Sequence, residues 1–248
     1  MGKTRILLLL SLLVVCPPLG LTQQEALSWI PHQTGDRWIY QHESKDFTGD
    51  PQKPEIQRWT TEETVKGLVT IPEGLIIERH VRQDNESGAV QTTYVDVYGR
   101  GDRLVRGDCV YFLDLFGWGR GPGPGPAWDS VKKKLNPQFH EALINGTVSP
   151  AACFPLKVGK QWGTSSDRLW RVVGSGGWNL FSPPLPGEAF HMVTKHFTSG
   201  GRLDVWLQKG IGVVGYDYRH SGTYGESTEK LLQFIPAYRA VSPGKTIP

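Results

Sequence analysis

Apolar and polar residues alternate along most of this chain, the period-two pattern of half-buried strands. In Tyr94-Val95-Asp96-Val97-Tyr98 the two faces differ cleanly. Arg202-Leu203-Asp204-Val205-Trp206-Leu207 puts Leu203, Val205 and Leu207 on one face. From Val213 to His220, one face carries Val214, Tyr216, Tyr218 and His220, and the other carries Gly215, Asp217 and Arg219. Lys209-Gly210-Ile211-Gly212 lies between these two runs and predicts a hairpin turn. Cys109 to Phe116 is mostly apolar, the signature of a strand buried on both faces. Further strands are predicted over 37–43, 55–64, 74–82, 103–106, 167–173, 189–197 and 227–234. The fold class that follows is mainly β, with about ten strands and little helix. The expected form is a curved antiparallel sheet, or a partly open barrel or half-barrel.

Two segments repeat. Trp29-Ile30-Pro31-His32-Gln33-Thr34-Gly35-Asp36-Arg37-Trp38 and Cys153-Phe154-Pro155-Leu156-Lys157-Val158-Gly159-Lys160-Gln161-Trp162 lie 124 positions apart. Each holds an apolar residue, a Pro, a Gly four later and a Trp three later. In Pro31, Gly35 and Trp38, and again in Pro155, Gly159 and Trp162, the pattern predicts a turn. Pro ends an approach segment, Gly permits the tight turn, and Trp anchors the next strand in the core. The chain therefore divides into a first β half over 23–116, an inserted segment over 117–150, and a second β half over 151–248. Gly117 to Pro126 alternates Gly with Pro and Trp, and is predicted to be a loop. A short helix follows, capped by Asn136, with Pro137 at its first position and Asn145-Gly146 at its end. Phe139 and Leu143, four apart, share its inner face.

The N-terminus reads as a secretory signal peptide over residues 1–22. Lys3 and Arg5 precede the apolar run Ile6 to Val15, which is too short to span a bilayer. Leu13-Val14-Val15-Cys16-Pro17 ends in a lipobox-like Cys, but Pro17 and the bulky residues before Cys16 argue against lipid anchoring there. No later stretch reaches the roughly 20 apolar residues of a membrane span, so no transmembrane span is predicted in the mature chain. An exported chain, periplasmic or secreted, is the expected location. Removing the leader lowers the net charge from +3 to +1. That balance leaves no charge surplus for a phosphate-binding face, so nucleic acid is not an expected partner. The 30 Gly, 18 Pro and nine Trp fit turns and aromatic-rich sheets. Two cysteines remain after the leader, Cys109 and Cys153. They are candidates for one disulfide in an oxidising compartment, or for two small buried hydrophobes.

Searches for chemistry return little. There is no Gly-x-Ser-x-Gly elbow and no His-Glu-x-x-His helix. Ser175 sits in a glycine turn. Neither mature Cys belongs to a Cys-x-x-Cys pair, and no metal ligands, catalytic residues or cofactor are assigned. Glu78 and His80, two apart, share a strand face, as do Tyr218 and His220. His191 and His196, five apart, face opposite ways.

The second repeat resembles the Phe-Pro-Leu-x-x-Gly-x-x-Trp opening of exported bacterial β-rich proteins and lipoproteins of uncharacterised function. Those proteins continue through an aromatic strand, a Gly-x-Gly-x-Val turn and a polar strand. Trp206, Gly210 to Val214 and Ser227 to Leu232 stand in these places. The resemblance covers about residues 153–234, and more weakly 29–115. It implies an envelope or secreted location and a curved antiparallel sheet, and it supplies no catalytic residue. Sheets of this kind are similar to those of periplasmic lipoprotein carriers, a likeness of fold only.

The leading functional expectation is an exported, non-enzymatic binding or carrier module. Its ligand would be apolar and lipid-like, or a glycan, lined by Trp170, Trp206, Tyr216 and Tyr218. A second reading is a structural or assembly protein of the cell envelope that acts through protein partners, with Trp118 and Trp128 beside the Gly-Pro loop as the contact. A third is a secreted hydrolase built on Glu78, His80, His191 or His220.

Overall fold

The computed structural model describes residues 21–50, 52–85, 90–91, 101–113, 127–164, 168–176, 189–196, 201–219 and 225–237. The predicted strand at 94–98, the loop 117–126, His220 and most of the leader lie outside the described residues.

The chain opens with helix α1 (Leu21–Trp29) and continues as β1 (Arg37–Asp50), β2 (Lys53–Ile71), β3 (Gly74–Asn85), β4 (Val90–Gln91), β5 (Arg103–Arg106) and β6 (Cys109–Phe112). Then come β7 (Trp128–Asp129), β8 (Lys134–Leu135), helix α2 (Pro137–Ile144), β9 (Ala152–Cys153) and β10 (Gln161–Gly163). Five long strands close the chain: β11 (Arg168–Gly176), β12 (Ala189–His196), β13 (Arg202–Gln208), β14 (Gly212–Arg219) and β15 (Gly225–Ile235). The fold is mainly β. One antiparallel sheet runs in the order β10-β11-β12-β13-β14-β15-β1-β2-β3-β5-β6-β9, with β4 beside β3. β15 pairs with β1, which joins the late strands to the early ones.

The sheet curls into a nearly closed barrel with an unsealed seam between β10 and β9. Register shifts at Ile39/Tyr40, Val65/Gly67, Val172/Gly174 and Trp206/Leu207 are bulges, which bend and twist strands and so help the curl. Among the described residues no ladder crosses the seam, but side chains do. The Trp162 indole donates to the Pro150 carbonyl at 3.1 Å, and the Thr164 amide donates to Ser149 Oγ at 3.1 Å. A disulfide joins Cys109 to Cys153, opposite each other in the β6–β9 pair at this edge.

The pairing register fixes which residues face inward. Trp38, Tyr40 and His42 of β1 lie across from Glu63, Thr61 and Trp59 of β2. The same face carries Trp170, Met192, Val205 and Tyr216 on β11 to β14. Helix α1 closes one end. Ala26, Trp29 and Ile30, spaced three and four apart, bury into the core, and Trp29 stacks on Phe154 and meets Phe190 edge-on, both at 5.4 Å. The sequence reading places the leader up to residue 22, and α1 begins at Leu21 inside it.

Helix α2 forms where Asn136 and Pro137 predict it. The Asn136 side chain accepts the Gln138 amide at 2.9 Å, and Phe139 and Leu143 are buried. With the β7–β8 hairpin it covers Ile76 and Leu104 on the outer face of β3 and β5, making a second, smaller core. Trp128 belongs to that core and donates to Glu78 at 3.2 Å, so it anchors the inserted segment to the barrel.

Candidate functional site

The two repeated turns share one backbone design. In the first, the Asp36 amide donates to Gln33 O (2.9 Å), Gly35 N to Val65 O (2.9 Å) and Val65 N to Asp36 O (2.9 Å). In the second, Lys160 N donates to Lys157 O (3.0 Å), Gly159 N to Val172 O (2.9 Å) and Val172 N to Lys160 O (3.0 Å). Gly35 and Gly159 have φ of +96° and +88°, the left-handed region that disfavours a Cβ. Each turn delivers a Trp to the core. The Trp38 indole donates to Ile211 O at 2.6 Å, as Trp162 does to Pro150 O.

Of the four aromatic residues singled out in the sequence, the sheet brings three to its inner face. Trp170 is packed beside Trp162 at 6.3 Å, Tyr216 is buried, and the ring of half-buried Tyr218 fills the space above Gly201. Trp206 points to the opposite face of the sheet from Leu203, Val205 and Leu207, and it is buried there. There it stacks on His191 at 4.9 Å. Trp170 is 1% exposed and Val172 0%, so both are packed into the core.

Charged groups also occupy the interior. Arg79 donates to Glu63 at 2.8 Å, and Arg103 lies 3.8 Å from the same carboxylate. The two guanidiniums lie over Trp38 and Phe112, at 4.2 and 4.4 Å. His42 stacks on Trp59 at 5.1 Å, with Thr61 Oγ1 at 3.1 Å and Glu229 at 3.5 Å. Tyr40 donates to Val213 O at 3.0 Å; burial, then the charges of Glu63 and Glu229, push its phenol well above its usual pKa. These groups pair with one another across β15, β1, β2, β3 and β5. The sequence reading missed the belt. Its visible signal is the polar residue recurring on an otherwise apolar inward face, as in Trp38, Tyr40, His42.

On the outer face His191 and Asp204 are 2.6 Å apart, and Arg202 grips Asp204 at 2.6 and 2.8 Å. Burial opposes the Asp204 carboxylate, but hydrogen bonds from His191 and Arg202 outweigh it and hold the pKa below the usual value. In the sheet register, Asp204 neighbours Asp217 and Val193, and His191 neighbours Trp206 and Gly174. Glu78 is held by Trp128 and Lys133, and His80 is exposed on its own strand. Among the described residues no group of three His, Cys, Asp or Glu side chains is placed to hold a metal ion.

An open groove of about 1070 Å³ lies where α1, the first repeated turn and the end of β15 meet. Gln24, Leu27 and Ser28 line it from the helix, Pro31, His32, Gln33 and Asp36 from the turn, and Phe234, Pro236 and Ala237 from β15 and its extension. Phe234 leans on Trp38 at 5.3 Å, so one wall of the groove is backed by the core. Asp36 braces the opposite walls: Oδ2 accepts the Gln33 amide and Oδ1 the Ala237 amide, each at 2.8 Å. The Gly210 amide donates to Ser28 O at 3.1 Å, which ties the β13–β14 turn to the helix end. The sequence reading assigned none of these residues to a ligand, because the groove is assembled from α1, which adjoins the leader, and from segments about 200 positions away.

Fold and groove together describe a helix-plugged, nearly closed antiparallel barrel with an apolar cleft at its plugged end. Neither a protein-family profile nor a curated protein matches the chain. Solved structures of similar course include a candidate exported protein with a YmcC-like fold from Bacteroides fragilis, 11% identical with a TM-score of 0.37, covering 84% of this chain and 98% of that one. Another is a candidate lipoprotein from Parabacteroides distasonis, 12% identical with a TM-score of 0.39 and the same coverage, 84% and 98%. A third is a LolA superfamily protein from Nitrosomonas europaea, 8% identical with a TM-score of 0.23, covering 88% and 92%. At these scores the likenesses carry nothing about ligand or activity.

Proposed function

We propose that this chain is an exported, non-enzymatic binding or carrier protein for a ligand with an apolar tail, and that the groove beside α1 receives it. The groove itself carries the reading. It is concave, large enough for a lipid-sized molecule, and its apolar lining is concentrated in Leu27, Pro31, Phe234, Pro236 and Ala237. Each methylene buried there is worth about 0.8 kcal/mol, so a modest length of chain suffices for micromolar binding. Trp170 is packed in the core, which supports a site at the mouth. Displacing α1 with Trp29 would extend the groove toward Phe154, Phe190 and the aromatic face that holds Trp170 and Tyr216. The apolar run at the N-terminus and the Cys109–Cys153 disulfide support export to an oxidising compartment. No helix among the described residues is long and apolar enough to cross a membrane.

The test is native mass spectrometry of the chain purified from an exporting host, with organic extraction of the same sample. The expected result is a co-purifying amphiphile that is lost on denaturation. A clean apo mass, together with no uptake of added amphiphiles, overturns the reading.

A further inference from the structure

We infer that the groove selects an uncharged amphiphile whose head group donates hydrogen bonds, a hydroxylated neutral lipid such as a monoacylglycerol, over fatty acids and other charged amphiphiles. This rests on the groove being the ligand site and adds the chemistry of the head group.

Three observations lead there. The first is charge. Asp36 is the only charged residue lining the groove among the described residues, and both of its oxygens already accept backbone amides. Neighbouring Lys209 is held away, 3.5 Å from Glu25 and over the Trp29 ring at 5.7 Å. Among the described residues no cation lines the groove to meet an anionic head, and a cationic head would find the one carboxylate occupied.

The second is His32. Its Nδ1 lies 3.0 Å from the Ile30 carbonyl. A carbonyl only accepts, so Nδ1 carries the proton, and in the neutral ring Nε2 is left as a lone-pair acceptor. Among the described residues Nε2 has no protein partner.

The third is Ser28. Its hydroxyl proton is committed to Glu25 O at 2.7 Å, so the oxygen of this groove-lining residue is also left as an acceptor. Two acceptors on one rim of an apolar cleft call for a ligand that brings donors. Hydroxyl groups do; ester carbonyls and ionised carboxylates do not. The Gln24 and Gln33 side chains line the same groove, and each amide carries both an acceptor and a donor.

The test compares three probes with one tail, 1-monooleoylglycerol, oleate and methyl oleate, at pH 8 by calorimetry or probe displacement on the full exported chain. Monooleoylglycerol is expected to bind at least tenfold more tightly than oleate and several-fold more tightly than methyl oleate. His32→Leu should weaken monooleoylglycerol about five- to tenfold, the scale of one lost hydrogen bond, and leave methyl oleate unchanged. His32→Gln, which returns an acceptor, should recover most of the loss. Oleate binding as tightly as monooleoylglycerol, or a folded His32→Leu chain with unchanged selectivity, overturns the inference and leaves the groove reading standing. If no probe binds, or if Leu27→Glu in the groove wall leaves all binding intact, the groove reading fails and the inference with it. Should His32→Leu fail to fold, the ranking of the three probes on the unaltered chain decides.

Discussion

The two copies of the Pro-x3-Gly-x2-Trp turn have the same backbone and different employment. After Pro31 the first copy continues with His32 and Gln33, half-buried and facing the groove, and its post-glycine residue Asp36 ties down Ala237. After Pro155 the second continues with buried Leu156, and its post-glycine residue Lys160 donates to the carbonyls of Cys153 (2.8 Å) and Pro155 (3.1 Å). One copy holds a cleft open beside a helix. The other fastens the seam beside a disulfide. The shared positions specify the turn, and the positions that differ decide what each turn holds.

Breaking the shared anchor should have the largest effect. Trp38→Ala removes a fully buried indole and its bond to Ile211, and should lower stability by about 3–5 kcal/mol in denaturant unfolding. Trp162→Ala, at the seam, should cost less. Equal losses would mean that the seam is as tightly built as the closed wall. Next comes the seam staple. The Cys109–Cys153 bridge spans 44 positions, so the double change Cys109→Ser/Cys153→Ser should cost about 3–4 kcal/mol in the chain-entropy description. That loss should leave amphiphile affinity at the first turn within about twofold, because neither cysteine lines the groove.

The residues after the glycines sharpen the contrast. Asp36→Ala frees two backbone amides and should cost about 2 kcal/mol while weakening ligand binding, because the Ala237 wall is released. Lys160→Ala should cost about 1 kcal/mol and leave binding unchanged. A last pair of changes tests the shared backbone itself. Gly35→Ala and Gly159→Ala each place a Cβ at positive φ, and should cost similar amounts, about 1–2 kcal/mol. A clear inequality in thermal unfolding would show that the turns are less alike than their hydrogen bonds.

Much of this architecture is legible in the chain. The hairpin around Gly210, the capped helix at Asn136-Pro137 and the long strands all announce themselves, because periodicity and caps are local signals. The helix α1 is not, since Ala26, Trp29 and Ile30 make a single short apolar stripe directly after the leader. The charged belt is hidden for another reason. Glu63, Arg79 and Arg103 meet only through strand register, across 16 and 40 positions of sequence. The inward turn of Trp170 and Tyr216 follows from alternation, and so does the outward turn of Trp206. Which face becomes the inside depends on how the whole sheet curls. The groove is the least legible feature, because it joins residues 24–36 to residues 234–237 through the β15–β1 pairing that closes the sheet.

The most direct measurement is photolabelling with a monoacylglycerol that carries a diazirine in its acyl chain, followed by peptide mapping of the adducts. Saturable labelling of α1, the Pro31 to Asp36 turn and Phe234 to Ala237, competed by unlabelled monooleoylglycerol, is the predicted result. Labelling concentrated at Phe154 to Trp162, or labelling that no competitor displaces, would contradict the assignment of the ligand site to the first turn.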